Sequence, residues 1–435
     1  MLFDQQGGIL ATMKQQLTAT VADPDLLFLP WEIPLEQWDE DTVAPIARGI
    51  SRHIVRFVKV NNAIYAVKET VDEFALREYE MLNKLQELDV PCVEPAGIVQ
   101  GRSDSAGNPL GAALLTKHLT FSLPYRALFS TTLRPQVAEK FLDALALLLV
   151  RLHLNGFLWG DCSLSNTLFR RDAGSFAAYL VDAETGELHE KLTDGQRTHD
   201  IENARINIAG ELLDLEAGGL LHPSMDPIET ANSIISKYQS LWTEVTEPVV
   251  ITPGERFKLY NRITRLNELG FDVAEMKAET TGGEVYMRPV VLEPNFYANK
   301  LAALTGLTVE EQQGRALMKD LEDFRSKHNI SIENTNIAAH RWVSERFNQV
   351  VAKAPTEVRA KFTPAQLYYE ILQYRWKISE ESGQDIGIRP AADEYIEKIL
   401  GSKPDERAII GTNEPEDVAD IENTAAIRII ADYER

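Results

Sequence analysis

Apolar positions along this chain change period several times, and each change marks an element. Residues Ile54–Val60 and 63–67 are short runs rich in β-branched and aromatic side chains, split by Asn61-Asn62, which predicts a hairpin. Over 72–88 the apolar residues Phe74, Met81, Leu85 and Leu88 fall at helical spacing, with Glu78 on the same stripe and Pro91 at the exit. Residues 94–99 and 112–116 read as strands around a loop of Gly, Ser and Asn. A long helix is predicted over 135–155, with Val137, Phe141, Leu145, Leu148 and Leu152 on one face and Gly156 as its stop. Phe157-Leu158-Trp159, a polar loop, Thr167-Leu168-Phe169, a turn over 172–175 and the run 177–181 predict a second hairpin. After Thr198 the period is helical through Ile201, Ile208, Leu212 and Leu215, until Gly218-Gly219 and Pro223 stop it.

A domain boundary is expected near that stop. Residues beyond it read as mostly helical, with helices over 255–269, 309–328, 338–353 and 364–381 and one hairpin-like interruption from Gly282-Gly283 to Leu292. Ahead of the first hairpin, the stretch from Leu26 to Leu35 is apolar but broken by Pro30 and Pro34, which forbid a long helix. It is too apolar to be left in water, so an extended arm packed on a domain is expected.

Composition narrows the function classes. The 435 residues are 44% hydrophobic and 25% charged, the balance of a soluble globular protein, and too many for one ordinary domain. A net charge of −22 excludes a sequence-independent binder of nucleic acid or anionic lipid. Cys92 and Cys162 are too few for a disulfide framework, which points to a reducing compartment and favours the cytoplasm. The N-terminal residues lack the basic start and apolar core of a signal peptide, and no apolar run reaches eighteen residues, so no membrane span is expected.

The candidate chemistry lies in the first half. Lys68 follows an apolar run, where an ammonium must reach water or find a partner, and Glu78 on its apolar stripe is the obvious one; the competing reading leaves Glu78 solvated at the stripe's edge. Asp161 and Asn166 stand five residues apart, and Asp182 ends an apolar strand sixteen residues later. These are hard oxygen donors with no histidine or cysteine cluster nearby, a set that suits magnesium and phosphate better than zinc. Taken singly, an Asp after a strand is more often a turn or a helix cap.

The order of these residues, Lys68 in Ala66-Val67-Lys68, Glu78, Gly160-Asp161-Cys162-Ser163-Leu164-Ser165-Asn166 and Asp182 in Leu180-Val181-Asp182-Ala183-Glu184, resembles the protein-kinase-like superfamily. The resemblance implies an α+β, bilobed protein-kinase-like fold with a small β-rich N-lobe over 46–119 and a helical C-lobe over 120–222. An N-terminal arm (1–45) would precede it; a mostly helical C-terminal domain (223–400) and an acidic flexible tail (401–435) would follow. It further implies ATP and Mg2+ as cofactors, with Lys68 and Glu78 orienting phosphates, Asp161 taking the proton of the attacking hydroxyl, and Asn166 and Asp182 holding metal. The phosphate-covering loop is the poorest match: Gly49 stands alone, with Ser51 and Arg52 beside it, in an acid-free run that also carries Arg48, Arg56 and Lys59. A solvated hairpin face explains that run equally well.

Departures from the protein-kinase pattern steer the substrate. Trp159-Gly160 replaces His-Arg, Ser163 stands where lysine is usual, Asp182-Ala183-Glu184 replaces Asp-Phe-Gly, and little room is left for a peptide-docking segment before the helix at Thr198. The pattern is nearest to bacterial lipopolysaccharide-kinase-like proteins carrying an uncharacterised C-terminal domain, so a small-molecule, sugar or glycolipid acceptor is implied. The alternative is a nucleotide-binding pseudokinase that regulates a partner protein through that domain. Four other features have plainer readings: His199-Asp200 with Glu202 as a helix cap rather than a metal cluster, Cys162 as a buried filler, Arg170-Arg171 as a solvated turn, and Trp342, Tyr368, Tyr369, Tyr374 and Trp376 as core or interdomain aromatics.

Overall fold

The computed structural model describes residues 15–403, except for 22, 40–41, 45–52, 62, 129–132, 134, 253, 282–283 and 360. The tail expected from 401 onward therefore lies almost wholly outside the described residues, as does Asn62. The chain is α+β and divides into two units, the first made of residues up to Leu119 together with Leu180–Leu188.

In the first unit, β1 (Gln16–Ala19), β2 (Ile54–Val60), β3 (Ala63–Thr70), β4 (Glu94–Gln100) and β5 (Ala112–Lys117) form an antiparallel sheet in the order β1-β4-β5-β3-β2. β2 and β3 are the expected hairpin, turning at Asn61 with φ of 53°, a left-handed conformation that Asn tolerates. Alternation along β3 buries Tyr65 and Val67 on one face, where Leu26, Trp31, Leu35 and Trp38 of the N-terminal arm join Val58, Val99 and Leu115 in a single core. Prolines hold the arm to two short 3-10 turns, Pro24–Phe28 and Leu35–Gln37. The edge strand β1 had no counterpart in the expected elements.

The opposite face of β3 carries Lys68 toward α1 (Asp72–Glu87). The buried stripe of α1 is Ala75, Glu78, Tyr79, Leu82 and Leu85; of the expected apolar stripe Leu85 is buried, whereas Phe74 is 44% exposed and Met81 is only half-buried. Choosing the largest apolar residues rotated the predicted face away from the true one. Glu78 lies inside the real stripe and is buried.

The second unit begins with β6 (Ser122–Pro124), α2 (Pro135–Leu154), and the hairpin β7 (Thr167–Asp172) and β8 (Ser175–Leu180), with β6 paired to β7. All five residues expected on the inner face of α2 are buried. Gly156 ends that region with φ of 74°, and a Cβ there would lie 2.0 Å from the His189 carbonyl oxygen, so no other residue fits. α3 (Asp194–Ala217) starts before the expected Thr198 because Thr193 and Gln196 form a capping box. It is followed by α4 (Pro227–Thr246), β9 (Val249–Ile251), α5 (Arg256–Glu268), β10 (Phe271–Thr281) and β11 (Glu284–Pro294). The last two are far longer than the interruption expected near Gly282, and with β9 they make a three-stranded sheet.

Helices α6 (Phe296–Thr305), α7 (Glu311–Lys327), α8 (Thr335–Trp342), α9 (Pro364–Ser382) and α10 (Ile388–Lys398) complete the unit. The helix expected over 338–353 starts earlier and passes through a π-helical turn at Val343–Phe347. Trp342 and Tyr368 are core residues, as expected, and both donate to the buried carboxylate of Asp320 at 2.8 and 2.7 Å; Trp376 is exposed. α6 and α7 approach closely enough that a Cβ on Gly314 would lie 2.8 Å from the amide nitrogen of Ala298. No helix among the described residues is long and apolar enough to cross a membrane.

One side chain outside all the expected elements locks the arm to the first unit. The fully buried Arg102 donates to the carbonyls of Trp31, Ile33 and Gly111 at 2.8 to 2.9 Å and to the Glu69 carboxylate at 2.6 Å. Glu69 in turn accepts the Leu35 amide. Replacing Arg102 with Met strands a carboxylate and three carbonyls, so chemical denaturation should show a loss of about 3–5 kcal/mol. Lys117→Ala, which breaks the half-exposed pair with Glu94, serves as the control and should cost less than about 1 kcal/mol.

Candidate functional site

The candidate residues form two groups, each within one unit. In the first, Lys68 lies in β3 between Val55 and Leu114, two residues before the strand ends rather than at its end. Its ammonium donates to Glu78 at 2.8 Å, to Asp182 at 2.8 Å and to Glu184 at 3.2 Å. Lys68 and Glu78 therefore meet, and Asp182 joins them from the chain just beyond β8. The residue between the two outer carboxylates, Ala183, is fully buried, while Asp182 and Glu184 on either side of it both reach the Lys68 ammonium. The Glu184 amide donates to the Asp182 carboxylate and closes the turn. His53 approaches Glu184 from the start of β2 at 3.2 Å.

One cation thus faces three carboxylates whose oxygens lie within 4.8 Å of one another. The charge surplus shows in the pKa values. Burial, helped by the charges of Asp182 and Glu184, pushes the Glu78 carboxyl up to about 7 against the pull of Lys68. Glu78 and Asp182 keep the Lys68 ammonium protonated despite its own burial. The donor set is all hard oxygen, the chemistry that a magnesium ion takes.

In the second unit the segment 159–166 forms a loop ahead of β7. Asn166 donates its side-chain amide to the Asp161 carbonyl at 2.9 Å and to the Asp161 carboxylate at 3.2 Å. The other Asp161 oxygen accepts from Asn207 at 3.1 Å. Two amides therefore fix the plane of an acceptor-only carboxylate. Ser163 turns the loop, taking the Asn166 amide on its hydroxyl and the Thr167 hydroxyl on its carbonyl. Gly160 adopts φ of 79° at its entrance.

What holds this loop is a row of polar residues on α3 that the sequence reading missed or misread. Asp200 is fully buried and accepts the backbone amides of Trp159 at 3.0 Å and Gly160 at 2.7 Å and the ring of His153 at 2.9 Å. It is neither a cap nor a metal ligand; the cap is Thr193, six residues before His199, and Asp200 lies inside the helix. His199 is exposed and shares a hydrogen bond with Asn203 at 3.3 Å. Glu211 accepts the amides of Leu164 and Ser165, while Asn207 donates its side-chain amide to the Asp161 carboxylate and the Cys162 carbonyl. Spacings of seven and four put Asp200, Asn207 and Glu211 on one helical face with Ala204 and Ile208. Polar residues recurring on the buried face of a helix were the available signal.

Cys162 is wholly buried, and burial together with the nearby carboxylates raises its thiol well above its usual value, so it is an inert filler as expected. Gly49, Ser51 and Arg52 lie outside the described residues. Of the basic run around them, Arg56 is spent on the arm, donating to the carbonyls of Leu35 and Glu36. Arg170 and Arg171 are not a solvated turn: Arg171 is buried and Arg170 binds Glu310 at 2.9 Å.

Comparison with known proteins places these residues in context. Residues 57–207 match the model of the lipopolysaccharide kinase (Kdo/WaaP) family, and residues 240–400 match a domain of unknown function, DUF4032. A solved structure described as WaaP in complex with acyl carrier protein is similar at 14% identity and a TM-score of 0.35, covering 58% of this chain and 99% of that one. No curated protein matches the chain. The kinase-like resemblance with an uncharacterised C-terminal domain is borne out, and the family match supports a kinase-like phosphotransferase.

The raised Glu78 carboxyl has a consequence for stability. The unfolded chain ionises near the ordinary value of 4.5 and the folded one only near 7, so the folded state holds the extra proton between them. Stability from this group is present below that window and is lost as pH rises through it. Relative to Glu78→Gln, the wild type should therefore lose unfolding free energy from about pH 4.5 to 7 and then level off. A wild-type advantage that grows with pH in denaturant titrations would show that Lys68 lowers the carboxyl instead.

Proposed function

We propose that this chain is an ATP- and magnesium-dependent phosphotransferase acting on a hydroxyl of a small molecule, sugar or glycolipid precursor, in the cytoplasm. The observation that carries the reading is the sharing of Lys68 between Glu78 and Asp182, with the carboxylate of Asp161 held separately by two amides. Catalysis of phosphoryl transfer is mostly positioning and charge neutralisation, and these residues supply both. Lys68, kept in place by Glu78, binds phosphate oxygens. Asp161 orients the acceptor hydroxyl and takes its proton. Asn166 spends its amide hydrogens on Asp161, leaving its oxygen for a cation, and Asp182 offers a carboxylate for the same purpose. Magnesium bound there would neutralise charge on the transferring phosphate. Both cysteines are buried free thiols, in keeping with a reducing compartment.

One observation favours the pseudokinase alternative. Glu184 occupies Lys68 alongside Asp182, and the local surplus of negative charge opposes an anion arriving without a metal. The two readings separate by experiment. Thermal denaturation of the full chain with ATP should show stabilisation that needs magnesium, about 2.7 kcal/mol at a hundred times Kd. Assays with an acceptor panel should then show turnover that falls at least about a hundredfold in Asp161→Asn with nucleotide binding kept, and in Lys68→Met and Asp182→Asn with binding weakened. Binding without turnover on any acceptor favours the scaffold. Full turnover in Asp182→Asn refutes its assignment to the metal.

A further inference from the structure

An extensive polar contact outside the candidate site joins the β7–β8 hairpin to the helical domain that follows it. β7 leaves the loop directly after Asn166, and its first residue, Thr167, is tied back into that loop through the Ser163 and Leu164 carbonyls. Five residues on, about 17 Å along the strand, Asp172 accepts the amides of Gln312 at 3.0 Å and Gln313 at 2.7 Å in the first turn of α7. The turn residue Ala173 donates its amide to Gln366 of α9, and Gln313 donates to the Arg171 carbonyl. Between these points Glu310 is clamped from both strands. It accepts from Arg170 of β7 at 2.9 Å and from the Tyr179 hydroxyl of β8 at 2.7 and 2.8 Å, with the guanidinium 5.3 Å over the Tyr179 ring.

These bonds are buried or partly buried and specific in geometry, unlike an appended module resting on a lobe. A strand is stiff along its length, so a group that fixes its middle and far end also fixes where its near end begins. Removing the charge of Glu310 leaves the Arg170 guanidinium, only 19% exposed, without its counter-ion. Arg170 then keeps only its bonds to the Thr120 carbonyl, and relaxation of the strand toward water reaches the loop through Thr167.

We infer that Glu310 is a positioning residue through which the helical domain sets the conformation of the Asp161–Asn166 loop. The domain is thus a working part of the phosphotransferase rather than a separate binding module. The inference rests on the phosphotransferase reading for its catalytic consequence, while its conformational content does not.

The test uses the full chain and two variants, Glu310→Gln and the milder Tyr179→Phe, which removes one hydroxyl and keeps the ring. Hydrogen exchange should quicken by about tenfold at residues 160–167, with protection in the β2–β5 sheet unchanged. Turnover should fall with KM for nucleotide unchanged. Lys327→Ala, which breaks an exposed pair with Asp385 in the same domain, should change neither. Unaltered exchange at 160–167 in Tyr179→Phe overturns the inference, whether or not Glu310→Gln folds. Faster exchange in a chain whose wild type turns over no acceptor supports the inference and counts against the phosphotransferase reading instead.

Discussion

A charge removed from water must be met by partners already in place, and the arrangement of this chain follows from meeting that demand repeatedly. Lys68 is answered by three carboxylates, Arg102 by one carboxylate and three carbonyls, Asp200 by two amides and an imidazole, and Asp172 by the open end of a helix. Each of these groups ties together segments distant in sequence. Arg102 fastens the N-terminal arm, Asp200 fastens the Asp161 loop to α3, and Asp172 fastens α7 to the hairpin. Apolar packing supplies the bulk of the cohesion, but these polar anchors decide which segment lies against which.

The loop that carries Asp161 shows how such anchoring serves chemistry. Its apolar side chains Trp159, Cys162 and Leu164 are fully buried, and the backbone amides of Trp159, Gly160, Leu164 and Ser165 are satisfied by Asp200 and Glu211 on a single face of α3. A loop held by its amides leaves its own side chains available, and so Asp161 and Asn166 can be oriented by each other and by Asn207. His153 extends the same network to Tyr238 on α4, at 2.8 Å. The helical domain reaches the loop by another route, along β7.

The carboxylate surplus around Lys68 bears on what the first unit can bind. Three acidic groups against one ammonium make an anion unwelcome and a divalent cation welcome, so a phosphate-bearing ligand is accommodated best as its metal complex. The net negative charge of the chain is thus repeated at the scale of this cluster.

Order along the chain was enough to single out Lys68, Glu78, Asp161, Asn166 and Asp182, because hairpins, a long helix and polar loops leave local periodicities and turn residues that survive without a structure. The same local signals placed α2 and the β2–β3 hairpin almost to the residue. They failed where the deciding partner is far away. The face of α1 was rotated because burial there is set by the sheet and by Lys68, not by the size of Phe74. Asp200 was misread as a cap because nothing adjacent to it announces that the amides of Trp159 and Gly160, some forty residues earlier, require an acceptor. Arg102 and Asn207 were passed over, and Arg170 was read as part of a solvated turn, for the same reason. Residue type and spacing specify which groups could do chemistry; which of them are buried together, and which merely hold others in place, depends on long-range contacts that only the folded chain creates.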